Sequence, residues 1–138
     1  MAQLLDSDVI VSIKNEDYLS EVSIGKHRLV ADEPESKGGQ DKGPNPYEML
    51  LASLGSCTVI TLRMYAQNKK WEIGTVQVKL NLEQVQRESE KITVIRRKIH
   101  FSENLESDKK DRLLAVAKAC PVAKIISGTV EIDSALED

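Results

Sequence analysis

The stretch GPNPYEMLLASLGSCTVITLRMYA, residues 43–66, decides which fold is predicted for this chain. Asn45 is a good N-cap, and Pro46 suits the first helical position, where its missing N–H costs nothing. The apolar residues that follow cover more than one face, so a helix over 46–68 must be packed on several sides. This helix carries a single thiol, Cys57, near its middle.

Small side chains leave little bulk along one part of this helix, at Ala52, Ser53, Gly55 and Ser56. Another helix could therefore approach closely there. The rest of a 138-residue chain supplies few candidates. A second copy of the same helix is the attractive partner, which favours a homodimer.

Shorter patterned segments surround the helix and predict a single α+β domain, because strands that pair in hairpins are separated from the helices. Period-two alternation indicates half-buried strands. The predicted elements, besides the central helix, are N-terminal strands over 8–31, a hairpin over 73–102, a helix over 107–120, and a C-terminal turn and strand over 121–133. The last strand is TVEID, residues 129–133, after Gly128. The polar loop 32–45 is longer than most connections. A binding lid and a flexible connector both remain open for it.

Arg97 interrupts the apolar face that Ile95, Ile99 and Phe101 form on the second hairpin strand. An arginine at such a position either pairs with a buried group or extends to water. Snorkelling at a sheet edge is the expected arrangement.

Composition and charge argue against several classes of function. The net charge is −3 and aromatic residues make up 4% of the chain, so neither a basic field nor a stacking platform for nucleic acid is expected. The first residues are acidic where a signal peptide is basic, and uninterrupted apolar runs fall short of the ~20 residues of a membrane span. A cytoplasmic protein without a membrane partner is expected.

The two cysteines lie far apart in the sequence, at Cys57 and Cys120. A structural disulfide is not expected in a cytosolic chain, and two inert core thiols are one interpretation. A reactive thiol must ionise. Cys57 lies too deep in its helix for the dipole to help, so it would need a cation from elsewhere. If Pro121 starts a helical turn, Cys120 takes a cap-like position whose free amides favour an anion. Cys120 is therefore at least as easily activated as Cys57.

Three segments together resemble the OsmC/Ohr family of osmotically induced and organic-hydroperoxide-resistance proteins: NPYEMLLASLGSCTVITLRMYA, ADEP…GGQDKGP and LLAVAKACPV. The resemblance spans about residues 28–130 and looks closest to the OsmC-like branch. It implies an OsmC-like fold, with a curved antiparallel sheet, a long central helix and an intertwined homodimer. It also implies thiol-dependent reduction of a small-molecule hydroperoxide, with an external dithiol reductant and no bound cofactor.

The resemblance also assigns roles to individual residues. Cys57 would be the peroxidatic thiol, which becomes a sulfenic acid, and Cys120 would resolve that acid to a disulfide. The family site further contains an arginine and a glutamate. Arg28 is the candidate for the cation beside Cys57, ahead of Arg63 and Arg97.

The glutamate is where this sequence departs from the family pattern. The peroxidases have Glu directly after Asn-Pro, whereas Tyr47 stands there in this chain and Glu48 follows. Glu48 is the catalytic candidate and Tyr47 a binding candidate. Glu48 lies about 13.5 Å from Cys57 along the helix axis and on the opposite side, so either residue would serve the site of a second subunit. The departure favours an alternative, a non-catalytic dimeric protein that binds a small apolar ligand in an interface pocket.

Metal binding is not expected from the sequence. Neither C-x-x-C nor H-x-x-x-H spacing occurs. His27 and His100 lie on strand-like segments away from both cysteines in the sequence, so neither is expected to take part in catalysis.

Overall fold

The computed structural model describes residues 3–137. The chain divides into two compact units, and the boundary falls between Leu50 and Leu51, inside the long helix. Antiparallel strands, a long helix and two shorter helices make up a mixed α+β structure, which confirms the predicted fold class.

The N-terminal unit contains a three-stranded antiparallel sheet with the order β1-β2-β3. The strands are β1 (Ile10–Ile13), β2 (Ser20–Ile24) and β3 (His27–Ala31). Gly25 has a φ of 56°, which a residue without Cβ adopts freely, and it opens the two-residue turn between β2 and β3. The strands predicted over 8–31 are therefore confirmed.

The loop after β3 is organised around the carboxylate of Asp32, which is 3% exposed. One oxygen accepts the N–H of Glu33 at 2.7 Å, and the other accepts those of Gln40 and Lys42 at 3.3 and 3.2 Å. The Asp32 N–H in turn donates to the Pro44 carbonyl at 3.0 Å and closes the base of the loop. The loop is thus a compact structure and not an open connector.

Asp32→Asn is expected to loosen this loop. The amide group that replaces one carboxylate oxygen would bring a donor against an N–H donor. The measurement is amide hydrogen exchange, which should become faster at Gln40 and Lys42. Asp41→Asn is the matched control, because Asp41 is exposed and has a φ of 53°, which asparagine tolerates. Equal exchange in the two variants would contradict this role of Asp32.

The stabilising effect of Asp32 also depends on pH. Burial acts to raise the pKa of Asp32, but the three N–H bonds and the nearby Lys42 charge together hold this pKa below its ordinary value of 3.8. A depressed pKa means that the stabilisation is present above pH 3.8 and is lost as the pH falls through the lower value of the folded state. Protection at Gln40 should therefore persist down to pH 3.8 and be lost as the pH falls further, through the lowered pKa of Asp32 in the folded state.

Helix α1 (Pro46–Lys69) begins at the predicted residue and ends one residue later than predicted. By length and composition alone α1 could cross a membrane, since the mean hydropathy of its most apolar window is 1.4. The core helix of a soluble protein can have the same length and hydropathy. Only 28% of that window is buried. Large apolar side chains on α1, such as Ile60 and Met64, are more than half exposed. Much of the apolar surface of α1 is thus left uncovered by its own chain.

The second unit contains a long hairpin and two helices. Strands β4 (Val76–Arg87) and β5 (Glu90–Phe101) pair antiparallel from Val76↔Phe101 to Arg87↔Glu90. They are followed by α2 (Ser107–Lys118) and α3 (Pro121–Ser127). The helix predicted over 107–120 ends earlier, because Cys120 has the extended backbone of an N-cap and Pro121 starts a new helix.

The core of this unit lies between the C-terminal half of α1 and α2. Its buried members are Leu62, Ala66, Ile73, Leu113 and Ala117. Leu113 and Ala117 lie four residues apart on α2 and are fully buried, as the predicted apolar stripe requires. This packing positions α2, and with it the turn that carries Cys120.

The strand predicted over 129–133 is not formed, so that prediction is wrong for the single chain. Within residues 3–137, helix α3 is the last regular element. Val130 and Ile132 are 55% and 87% exposed. The segment alternates like a strand, but a strand needs a partner for its N–H and C=O groups, and the chain supplies none within the described residues.

Candidate functional site

The two cysteines lie at one place, where α1 meets the start of α3. The N–H of Val122, in the first turn of α3, donates to Cys57 Sγ at 3.5 Å. Thr58, the neighbour of Cys57 on α1, has its hydroxyl oxygen 4.0 Å from Cys120 Sγ. Both cysteines are free thiols. Residues 63 positions apart in the sequence are therefore adjacent in the fold.

Cys120 is the more enclosed of the two thiols. It is fully buried, whereas Cys57 is half-buried. Burial acts to raise the pKa of Cys120, but the N–H of Ala123 and the side chains of Arg97, Cys57 and Thr58 outweigh it, so the net shift of this pKa is downward. The expectation that Cys120 occupies a cap-like position before Pro121 is confirmed.

Arg97 supplies the positive charge beside Cys120. Its Nη1 donates to Thr58 Oγ1 at 2.8 Å and to Cys120 Sγ at 3.6 Å. Its Nη2 donates to the Ala117 carbonyl at 2.9 Å. The expectation that Arg97 snorkels at a sheet edge is wrong, because the inward face of β5 directs this side chain at buried acceptors on α1 and α2.

Thr58 is the site residue that sequence reasoning missed. It is fully buried, and its hydroxyl donates to the Leu54 carbonyl at 2.7 Å. Since this hydroxyl has one hydrogen, its lone pairs remain to accept from Arg97. The available signal was weak, because Ser56 on the other side of Cys57 is polar as well.

The other candidate arginines bond elsewhere. Arg28 Nη1 donates to the carbonyls of Gly25 and His27 at 3.0 and 2.9 Å. Arg63 Nη2 donates to the Gly74 carbonyl at 2.6 Å. Within residues 51–137, no guanidinium is hydrogen-bonded to the sulfur of Cys57. The role given to Arg28 beside Cys57 stays a prediction.

Glu48 has a clear structural task at the start of α1. Its carboxylate accepts the Asn45 N–H at 2.8 Å, and the Asn45 side chain accepts the Glu48 N–H at 2.9 Å. This reciprocal pair is a capping box. The sequence signal for it was Asn followed three residues later by Glu. Tyr47 is 69% exposed. The catalytic and binding roles predicted for Glu48 and Tyr47 stay predictions.

The remaining features of the unit do not suggest a metal centre. In the part of the chain that the structure describes, no group of three or more His, Cys, Asp and Glu side chains is arranged to hold a metal ion.

A groove of about 940 Å³ runs between β5 and α2, with Arg97 at its wall. Its lining mixes cationic and apolar side chains, among them Lys98, Lys118, Ile99 and Leu114.

The fold and the site together define an α+β protein in which two cysteines meet between a long helix and a short helix that begins at Pro121, directly after Cys120. The chain belongs to the OsmC-like protein family, whose sequence profile matches residues 39–135. This match confirms the family resemblance seen in the sequence. No curated protein matches the chain significantly.

Solved structures share this fold at low sequence identity. A Psychrobacter arcticus protein assigned to the osmotic-stress and detoxification response has 17% identity and a TM-score of 0.73, covering 90% of each chain. An organic hydroperoxide resistance protein OsmC of Legionella pneumophila has 19% identity and a TM-score of 0.62, covering 86% of this chain and 88% of that one. The organic hydroperoxide resistance protein OhrB of Bacillus subtilis has 18% identity and a TM-score of 0.61, covering 88% and 90%. The OsmC/Ohr proteins thus include organic hydroperoxide resistance proteins.

Proposed function

We propose that this protein is a thiol-dependent peroxidase that reduces organic hydroperoxides, with Cys57 as the peroxidatic thiol and Cys120 as the resolving thiol. The observation that carries the proposal is the adjacency of the two thiols with a guanidinium beside one of them. Two inert core cysteines would not require a half-buried arginine and a fully buried threonine around them, because withdrawing such groups from water is costly unless they are paired.

Exposure distinguishes the roles of the two thiols. The half-buried Cys57 is the one that a hydroperoxide can approach, and the fully buried Cys120 is suited to react only with Cys57. The Cys57 thiolate attacks the terminal peroxide oxygen, the O–O bond breaks, and the alkoxide takes a proton and leaves as the alcohol. Cys57 is then a sulfenic acid. Attack by Cys120 gives a disulfide and water, and an external dithiol restores both thiols.

The proposal includes a homodimer in the cytoplasm. The exposed apolar side chains of α1 need a cover, and a second copy of α1 fits beside the small exposed residues Ala52 and Ser53 of this helix. The unpaired alternating segment 129–133 also suits pairing with another chain. One chain has a mass of 15.4 kDa. Sedimentation equilibrium at micromolar protein should give twice this mass. A single-chain mass would remove the dimer from the proposal.

The proposed activity predicts the effect of Cys57→Ser. With dithiothreitol as reductant, the wild type should consume cumene hydroperoxide catalytically, and Cys57→Ser should reduce consumption to the rate of the dithiol alone. A hydroxyl is not ionised at neutral pH, so it cannot replace the thiolate as nucleophile. The measurement is the residual hydroperoxide over time at fixed protein concentration.

Ser56→Ala is the matched control, because the neighbouring Ser56 is exposed on the same helix and carries no thiol. It should keep the wild-type rate if the protein remains folded. Equal rates for the wild type and Cys57→Ser would overturn the peroxidase proposal. Thermal stabilisation by an apolar ligand, with no hydroperoxide consumption, would instead support the non-catalytic binding protein.

A further inference from the structure

We propose that Arg97 is a further catalytic residue, which holds Cys120 as the thiolate that attacks the sulfenic acid on Cys57, and that Thr58 positions its guanidinium. This inference rests on the proposed peroxidase function. It assigns Arg97, a cation on β5, to the second step of that reaction, the attack of Cys120 on the sulfenic acid. The family resemblance gave Arg97 no role in this step.

The hydrogen bonds around Arg97 fix the direction of its positive charge. Nη1 has two hydrogens, and the acceptors in reach are Thr58 Oγ1 at 2.8 Å and Cys120 Sγ at 3.6 Å. Nη2 is held by the Ala117 carbonyl at 2.9 Å. A planar guanidinium anchored at both ends in this way cannot turn from the sulfur without losing a bond.

Thr58 acts through Arg97 and is not itself the main donor to the sulfur. Its single hydroxyl hydrogen is directed at the Leu54 carbonyl at 2.7 Å, and its distance to Cys120 Sγ is 4.0 Å. Donation to the sulfur would break the shorter bond. Thr58 is therefore a positioning residue, whose oxygen orients Arg97 toward Cys120.

The surroundings of Cys120 otherwise contain few charges. Within residues 51–137, Arg97 is the charged side chain hydrogen-bonded to this sulfur. Helix α1 contributes the Cys57 thiol and the Thr58 hydroxyl, and α3 contributes the N–H of Ala123. Because Cys120 is fully buried, one nearby cation has a larger effect than it would have in water.

The step that Arg97 promotes is balanced without a further reagent. The Cys120 thiolate donates an electron pair to the Cys57 sulfur, the S–O bond of the sulfenic acid breaks, and hydroxide leaves and takes a proton from solvent. The two sulfur atoms are then joined in a disulfide. The negative charge that Arg97 stabilised is gone at the end of the step, so the guanidinium favours the reduced state of Cys120.

The first experiment measures ionisation of Cys120 alone. In a Cys57→Ser background, the ultraviolet absorbance of the thiolate is followed as a function of pH. Arg97→Met should move the titration of Cys120 to higher pH, and Thr58→Val should move it in the same direction. Arg96→Met is the matched control, since Arg96 lies on the opposite face of β5 in an exposed pair with Glu83. Thr58→Ser should restore the wild-type titration.

The second experiment separates the two chemical steps in chains that retain both cysteines. After addition of cumene hydroperoxide, a dimedone probe traps sulfenic acid while loss of free thiol reports the disulfide. Arg97→Met should form sulfenic acid at the wild-type rate but close the disulfide roughly three- to tenfold more slowly. Closure slows because a higher pKa of Cys120 lowers the thiolate fraction by more than it raises the nucleophilicity of each thiolate.

The outcomes distinguish this inference from the proposed function. An unchanged Cys120 titration in Arg97→Met and Thr58→Val, or a wild-type rate of disulfide closure, would overturn the role of Arg97. Absence of trapped sulfenic acid in every chain, the wild type and Cys120→Ser included, would overturn the peroxidase function, while the titration would still report on Arg97. If Arg97→Met does not fold, Arg97→Lys is used. It keeps the charge but lacks the second nitrogen that bonds the Ala117 carbonyl, so the titration of Cys120 should still move to higher pH.

Discussion

Cys120→Ser is expected to reduce about one equivalent of hydroperoxide per subunit and then to slow sharply, with Cys57 left mostly as a sulfenic acid. The physical reason is the loss of the neighbouring thiolate, which attacks from within the same site. Reactants held in this way have effective molarities far above the millimolar concentration of an added dithiol. Dithiol-supported turnover should fall on the order of 100-fold or more, measured as residual hydroperoxide over time.

The trapped state of this variant provides its own check. Mass spectrometry after dimedone treatment should find the label on Cys57. Cys57→Ser, which keeps Cys120, should carry no label, because a fully buried thiol is inaccessible to the hydroperoxide. Full turnover by Cys120→Ser, or a label on Cys120 in Cys57→Ser, would mean that the roles of the two thiols are assigned incorrectly.

Leu113→Ala is expected to lower the free energy of unfolding by about 2–5 kcal/mol, the usual cost of the transfer term and the cavity at a filled core position. Leu113 is fully buried between α2 and the C-terminal half of α1. The adjacent Leu114 is 49% exposed, so Leu114→Ala is the matched control and should cost less than about 1 kcal/mol.

Urea unfolding at one fixed protein concentration measures both variants, because association with a second chain would make the midpoint depend on concentration. A large midpoint shift for Leu113→Ala and a small one for Leu114→Ala is the expected result. Equal shifts would contradict the packing of Leu113 in a core between α1 and α2. They would also contradict the placement of α2, whose Ala117 carbonyl accepts a hydrogen bond from Arg97.

Local sequence patterns were sufficient for most of the secondary structure. Asn45-Pro46 gave the start of α1, alternation gave the strands of the long hairpin, and the apolar stripe of α2 gave its inward face. Each of these features depends on residues close in the sequence. The strand predicted over 129–133 failed for the same reason: alternation can indicate a strand but cannot supply its partner.

The candidate site was only partly predictable because its contacts join distant elements. The resemblance named Cys57 and Cys120, and the cap-like position of Cys120 followed from Pro121. The partner of Cys120 could not be ranked from the sequence. Arg97 was recognisable as an arginine on an apolar face, yet its acceptors on α1 and α2 depend on how β5 packs against both helices.

The most direct test of the account is to identify which sulfur atoms become bonded during a single turnover. Reduced protein is treated with one equivalent of cumene hydroperoxide, alkylated, digested without reductant and mapped by mass spectrometry. We expect one linked pair of peptides, containing Cys57 and Cys120, from protein that keeps the mass of a single chain in non-reducing gel electrophoresis, and we expect the link to disappear on addition of dithiothreitol. Recovery of both cysteines as alkylated thiols, with the hydroperoxide unconsumed, would contradict the account.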